Sequence, residues 1–440
     1  MSYSFPPVGG AGVQRVVKLA KYLPLFGVRP AVLTVANPSA PLRDDSLFRD
    51  VPPGMEIARA RTLEPGYAAK EAAWRAQAAS SMPAANAAGT SGLGASARMA
   101  AIARQVLFPD PQLLWQPAAQ AALLSRIAAR RDDVVLVSGP PFSQFLLAPL
   151  ARAGGLGVVL DYRDEWSTLR TTYEMGRSRL AKALGDPLEA ALLRRAHAVV
   201  TATEEFRDHL LARFAFLDRA RVFAVPNGYD PDDFPRELPP PPADRFVVTY
   251  AGTVFALTSA RGLLRGVRRL HERWPDLARL LRVRFVGRIV QTEVDAFAGA
   301  DALGIERVGY VPHGQVLREL AASHLTLCLL DDVPGATRIY PAKIFELMHL
   351  RRPVLTLAPP DSALARLVER HALGPLVAPR DEEGIARALR DRLLAFRNGD
   401  FRPLAWRNAT GVERYDRRAL AGEIAEILRD AAARAGRRGS

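Results

Sequence analysis

Lys343 and Glu346 are the residues whose types and spacing most directly suggest chemistry. They stand three residues apart in the stretch Arg338–Leu357, so they can project from the same side of a helix. Pro341 suits the first turn of that helix, because its missing N–H is not needed there. The free N–H groups of a helix N-terminus and a lysine ammonium suit phosphate oxygens, whereas a carboxylate suits the vicinal hydroxyls of a ribose. The pattern predicts a nucleotide site, with an amphipathic helix carrying two solvated charges as the alternative.

The elements that must position these residues follow an alternating pattern. Helical patterns separate short apolar runs, and this alternation favours parallel, doubly wound sheets. The first helix is predicted from Val13 to Phe26, and Arg351–Pro353 is expected to end the helix that carries Lys343. The predicted strands are 31–35, 55–59, 133–138, 158–160, 198–202, 246–253, 283–288, 308–311, 325–330 and 354–357.

The run P-A-K-I-F-E-L-M-H-L-R-R-P-V-L, residues 341–355, resembles the donor-site helix and following strand of family 4 of the retaining glycosyltransferases, which have the GT-B fold. In that family a pair of glutamates separated by seven residues marks the site, and the second glutamate grips the nucleotide ribose. Glu346 matches the second position. Arg338 stands at the first position, so the chain resembles a sub-branch that keeps only the K-x-F-E half.

Three further strings in the first half resemble the same sub-branch. The opening F-P-P-V-G-G-A-G-V-Q-R, residues 5–15, is similar to its glycine turn, and a glycine turn before a helix can receive a phosphate or an oxyanion. F-P-D followed by Trp115, and D-Y-R-D-E-W at 161–166, resemble segments that line the acceptor side. A surface ion pair between Arg163 and Asp164 is the plain alternative for the last string. Phe145 stands where relatives carry a histidine.

The resemblance assigns roles to individual residues. Donor binding falls to Gly10, Gly12, Arg261, Arg288, Val311, Tyr340, Lys343 and Glu346, and the catalytic, acceptor side falls to Asp110, Arg163 and Asp164. His313 lies in a loop that resembles the one passing near the nucleotide base, although an ordinary loop histidine is equally compatible. The doublets Asp232-Asp233 and Asp331-Asp332 favour turns over a metal site, and the resemblance implies catalysis without a bound metal or a cofactor.

Length and composition set the remaining limits. A chain of 440 residues with 49% apolar residues can form two domains. Cys328, the single cysteine, cannot form an internal disulfide, which fits a cytoplasmic setting. No run of about 18 apolar residues predicts a membrane span, and no signal peptide is indicated. The net charge of +14 comes almost wholly from arginine, so nucleotide diphosphates or an anionic membrane surface are the expected partners and nucleic acid is not.

These observations predict two facing Rossmann-like domains of the GT-B fold with the active cleft between them. The predicted boundaries are an acceptor-side domain at 1–230 with a flexible insertion at about 75–98, a proline-rich linker at 231–243, a nucleotide-sugar domain at 244–400 and crossing helices at 401–440. Only residues 1–4 remain of a first strand, and we expect the true start upstream, because a missing central strand leaves ladder groups unpaired.

The predicted activity is metal-independent transfer of a sugar from a nucleotide-diphosphate donor to a glycan, lipid-linked or small-molecule hydroxyl, with retention implied by the resemblance. A peripheral position at the inner face of the membrane is compatible with the charge. A nucleotide-sugar epimerase of the same fold and a catalytically silent nucleotide-sugar-binding protein are the alternatives.

Overall fold

The computed structural model of the chain describes residues 1–40, 42–72, 107–168, 179–401 and 411–436. The insertion predicted at about 75–98 lies outside this part. The chain divides into two compact units, one formed by Met1–Val225 with Ala421–Ser440 and the other by Pro226–Leu420. The residues predicted as a linker, 231–243, fall within the second unit. No helix in the described ranges combines the length and the apolar character that crossing a bilayer requires.

The first unit contains two parallel sheets. A two-stranded sheet pairs β1 (Val32–Val35) with β2 (Ile57–Ala60), and a four-stranded sheet has the order β3-β4-β5-β6. The strands of the second sheet are β3 (Val134–Gly139), β4 (Gly157–Tyr162), β5 (Ala198–Thr201) and β6 (Val222–Ala224). Every residue of β4 and β5 is buried, as expected for parallel strands covered on both faces.

Helices connect these strands. They are α1 (Ala11–Tyr22), α2 (Gln116–Ala128), α3 (Ala148–Ala153), α4 (Arg179–Leu193) and α5 (Glu204–Arg213), with 3-10 helices at Leu23–Phe26, Asp45–Asp50, Pro111–Trp115, Phe142–Leu147 and Arg219–Arg221. The predicted single helix from Val13 to Phe26 is wrong at its end. Pro24 has no N–H to donate, and α1 stops at Tyr22 and tightens into a 3-10 turn.

The first two residues occupy the space between β1 and β3. The Met1 amino group donates to the carbonyl of Leu136 at 2.6 Å, and the N–H of Ser138 donates to the Met1 carbonyl at 3.1 Å. On the other side, the N–H of Ser2 donates to the carbonyl of Leu33 at 3.1 Å. These residues therefore take the place of an additional parallel strand. Beside them the edges of β1 and β3 line a cavity of about 390 Å³.

The second unit is a single six-stranded parallel sheet with the order β12-β11-β10-β7-β8-β9. Its strands are β7 (Phe246–Ala251), β8 (Leu281–Val286), β9 (Ile305–Gly309), β10 (Leu325–Leu329), β11 (Val354–Leu357) and β12 (Leu376–Val377). The chain builds outward from β7 to β9 and then returns to the other side of β7 with β10. This is the strand order of dinucleotide-binding folds, in which ligands bind at the carboxyl ends of the strands where the order reverses.

Helices cover both faces of this sheet. They are α6 (Arg261–Arg273), α7 (Pro275–Ala278), α8 (Gln291–Val294), α9 (His313–Ala321), α10 (Lys343–Leu350), α11 (Ala363–Arg370) and α12 (Glu382–Arg397), with 3-10 helices at Pro231–Asp233, Ala256–Thr258, Asp295–Phe297, Asp301–Leu303, Ala336–Arg338 and Val412–Tyr415. The last helix, α13 (Arg417–Gly436), contributes residues 421–436 to the first unit.

The predicted helix and strand after Pro341 are confirmed. The helix begins at Lys343, and the carbonyl of Pro341 accepts the N–H of Ile344 at 2.9 Å. It ends at Leu350 because Arg351 adopts a left-handed conformation with φ 53°, and β11 covers the predicted strand 354–357.

Candidate functional site

Two glycines keep the edge of the six-stranded sheet of the second unit open, beside the point where the strand order reverses. Gly252 follows β7 with φ 131°, and Gly287 follows β8 with φ 135°. A Cβ on Gly287 would lie 2.4 Å from the Gly252 carbonyl oxygen, so only glycine permits this close approach of two backbones. The strand ends therefore present bare backbone at the position where nucleotide-binding sheets receive a ligand.

Lys343 extends over this edge. Its Nζ lies 3.6 Å from the centre of the Tyr250 ring, and a Cβ on Gly252 would come within 2.7 Å of the same nitrogen. Burial lowers the pKa of Lys343 to about 7, although Cys328 and Glu346 act in the opposite direction. An amine that has lost part of its hydration in this way gains strongly from a phosphate oxygen placed beside it.

Glu346 lies one turn further along α10 and pairs with His313, the first residue of α9. His313 Nε2 lies 2.9 Å from Glu346 Oε1. The side chain of His313 is 17% exposed to solvent and that of Glu346 is 20% exposed. The structure thus brings together the predicted ribose carboxylate and the predicted base-loop histidine. Their accessible position at the start of two helices allows the carboxylate to meet a ligand.

The two predicted phosphate-binding arginines have different surroundings. Arg261, at the start of α6, contacts Asp295 at 2.7 Å and Glu293 at 3.5 Å. Its guanidinium is therefore already neutralised by carboxylates. Arg288 follows Gly287 and is exposed, and no ion pair in the described part of the chain involves it. Of these two arginines, Arg288 is the better placed to meet an anion.

Val311 and Tyr340, the other predicted donor-binding residues, are half-buried and pack on the core around α10. The Tyr340 ring meets Phe345 edge to face at 5.9 Å between centroids. Their assignment to the donor stays a prediction.

In the first unit, Arg163 ties the predicted glycine turn to the loop after β3. Its guanidinium donates to the carbonyls of Gly12, Gly139 and Pro140. Gly10 caps the start of α1 with φ 99°, a conformation that glycine adopts readily. Arg163 therefore fixes the shape of the turn, and any direct contact of these residues with a substrate stays a prediction.

A buried ion pair that the sequence did not reveal lies beneath this turn. Arg15 of α1 and Asp161 of β4 approach to 2.9 Å with side-chain exposures of 5% and 0%, and Ser138 Oγ donates to Asp161 at 2.6 Å. Both residues belong to strings that carried the resemblance. Their pairing indicates that these two residues attach α1 to the four-stranded sheet of the first unit.

Asp110 and Asp164 differ in burial. Asp110 is buried, and its Oδ2 accepts the N–H groups of Phe142 and Ser143 at 2.6 and 2.9 Å, which caps a 3-10 helix. Burial raises the pKa of Asp110, while hydrogen bonds from Ser143 and Phe142 oppose the rise. Asp164 is exposed. The position expected for a histidine holds Phe145, whose buried ring packs 4.8 Å from Tyr162.

Comparison with known proteins adds independent findings. The family model described as Glycosyltransferase Family 4 matches residues 8–233. Sucrose-phosphate synthase from Thermosynechococcus elongatus is 15% identical with a TM-score of 0.62, covering 98% of this chain and 96% of that chain. The Anabaena protein HepE, solved in complex with UDP and glucose, is 14% identical with a TM-score of 0.60, covering 97% and 98%.

The apo form of the lipopolysaccharide outer core galactosyltransferase WaaB is 11% identical with a TM-score of 0.54, covering 97% of this chain and 99% of that chain. No curated protein matches the sequence. At these identities the structures establish the fold, which is the mixed α/β GT-B type with parallel sheets.

Proposed function

The chain belongs to glycosyltransferase family 4, and on that premise we propose that it transfers a hexose from a nucleoside-diphosphate sugar to an acceptor hydroxyl. The observation that carries the donor assignment is the placement of Lys343 and Glu346 in the first turn of α10, with Lys343 Nζ close to Gly252 where β7 ends. A phosphate binder and a ribose binder at this edge match the two parts of a nucleotide.

In this proposal Lys343 and the free N–H groups of the α10 N-terminus bind the diphosphate, with Arg288 as a further cation. Negative charge develops on the diphosphate as the bond to the sugar breaks, so fixed positive charge that is already oriented lowers the barrier. Such groups supply the stabilisation without a metal ion, and we propose metal-independent transfer with retention. The HepE complex with UDP and glucose supports a donor of this class.

The acceptor side is assigned to the first unit. Asp110 is the proposed acid or base, since burial raises the pKa of its carboxyl and its Oδ1 has no hydrogen-bond partner among the described residues. Arg163 and Asp164 complete the proposed acceptor group. Glycans, lipid-linked glycans and small molecules all offer the required hydroxyl, and contact with an anionic membrane remains part of the proposal.

Release of nucleoside diphosphate from a panel of nucleotide sugars tests this function. We expect release that depends on an added acceptor and persists in the presence of EDTA. Lys343→Met and Glu346→Ala should each lower kcat/KM at least tenfold, because each removes a contact to the nucleotide. His349→Gln is the matched control, because His349 lies on the same helix but stacks on Tyr229 at 4.3 Å.

The outcomes separate the rival functions. Acceptor-independent formation of an epimerised sugar would favour an epimerase, and binding without release would favour a silent binding protein. Donor binding that is unaffected by both Lys343→Met and Glu346→Ala would show that the site lies elsewhere.

A further inference from the structure

Two helix N-termini meet beside the proposed nucleotide site. His313 is the first residue of α9, and Glu346 lies in the first turn of α10. The contact between their side chains is short, with His313 Nε2 2.9 Å from Glu346 Oε1. These residues are 33 positions apart, so the contact is made by the packing of the two helices rather than by local chain geometry.

The chemistry of the pair defines which atom carries the proton. An ionised carboxylate can only accept hydrogen bonds, so His313 Nε2 must be the donor. A carboxylate offers about four acceptor positions on its two oxygens, so a bond from an imidazole to one oxygen is compatible with hydroxyl donors at other positions. The bond therefore fixes the orientation of Glu346 without using up its ability to bind a diol.

Exposure distinguishes this pair from an ordinary surface contact. With side-chain exposures of 17% and 20%, the two groups are screened far less than a fully solvated pair. They are nevertheless not sealed in the core, so a ligand can reach the carboxylate. A pair that is partly desolvated and still accessible is suited to hold one ligand group in place.

We infer that His313 is a positioning residue, which holds the Glu346 carboxylate in the orientation that receives the 2′- and 3′-hydroxyls of the nucleotide ribose. The inference rests on the proposed function, because it assumes that Glu346 binds the ribose. A merely structural role, in which the pair joins α9 to α10, makes no prediction about ribose and deoxyribose.

Calorimetric titration with UDP, GDP and ADP, and with their 2′-deoxy forms, tests the inference on the full-length protein. The wild type should prefer the ribonucleotide by about tenfold, as expected for hydrogen bonds to a charged group. His313→Ala and His313→Asn should reduce this preference by about fivefold or more. His313→Gln should restore it, because the glutamine amide can reach the position of Nε2, whereas the asparagine amide is too short.

A double-mutant cycle and a matched control complete the design. In the Glu346→Ala background, the further change His313→Ala should have no effect on the preference for ribose, because the carboxylate it orients is gone. His349→Gln, on the same helix as Glu346, should leave the preference at its wild-type value.

The results distinguish the positioning role of His313 from the proposed ribose site at Glu346. If Glu346→Ala lowers the ribose preference but His313→Ala and His313→Asn leave it unchanged, the positioning role is wrong and the proposed donor site survives. If Glu346→Ala leaves both the affinity and the preference unchanged, or if no nucleotide binds the wild type, the ribose site of the proposed function is itself wrong.

Discussion

The Lys343 ammonium nitrogen lies 3.6 Å from the centre of the ring of Tyr250, which stands near the end of the central strand β7. The face of an aromatic ring attracts a cation, but it does not replace the water that a buried amine has lost. Burial lowers the pKa of Lys343 to about 7, although Cys328 and Glu346 act in the opposite direction. An anionic partner placed beside Lys343 would therefore stabilise its partly desolvated ammonium group.

We predict that nucleoside diphosphate binding takes up protons above pH 7. The pKa of Lys343 is about 7 in the free protein, and a bound phosphate raises it, so the amine gains a proton at any pH between the two values. Uptake should approach about one proton per site at pH 8, and affinity should fall as the pH rises from 7. Titration of UDP in buffers of different ionisation enthalpy measures the uptake, and Lys343→Met should abolish it. Undiminished uptake in that variant would assign the proton to another group.

Substitutions of the two strand-end glycines should have different consequences. A Cβ on Gly252 meets the flexible end of Lys343, whereas a Cβ on Gly287 meets the backbone of Gly252 at 2.4 Å. Both positions have positive φ, which costs about 1–3 kcal/mol for other residues. We expect Gly252→Ala to weaken nucleotide binding at least tenfold with a modest fall in melting temperature. Gly287→Ala should lower the melting temperature more.

The control for this pair is Gly66→Ala, because no heavy atom of the described residues other than its chain neighbours lies within 4 Å of the added Cβ, and Gly66 is not among the glycines with positive φ. Its melting temperature and nucleotide affinity should match those of the wild type. A Gly252→Ala protein with normal affinity would mean that Lys343 Nζ need not occupy its observed position for binding.

The sequence predicts local features well where one residue type decides the geometry. Pro341 was expected to lie at the first turn of a helix, and α10 begins at Lys343. The strand 354–357 was placed correctly because three apolar residues and a β-branched threonine follow a proline. In contrast, the break at Pro24 was missed, since apolar periodicity continues through a 3-10 turn.

Long-range pairing could not be inferred from the sequence. Arg261 was assigned to the donor diphosphate through the family resemblance, yet its partners Glu293 and Asp295 lie more than 30 residues away in the sequence. Arg15 and Asp161 are 146 residues apart, and neither string shows that the other is its partner. In so arginine-rich a chain, the sequence alone does not show which cations are already neutralised.

Removing one member of the buried pair Arg15–Asp161 should strongly destabilise the first unit. Asp161→Asn keeps the shape of the side chain but removes the carboxylate charge from this buried pair, and breaking a buried pair typically costs about 3–5 kcal/mol. Urea denaturation followed by circular dichroism should show this loss. Asp45→Asn, which breaks an exposed pair with Arg43, should cause no measurable change. Equal stabilities of the two variants would show that the Arg15 charge is not sealed from water.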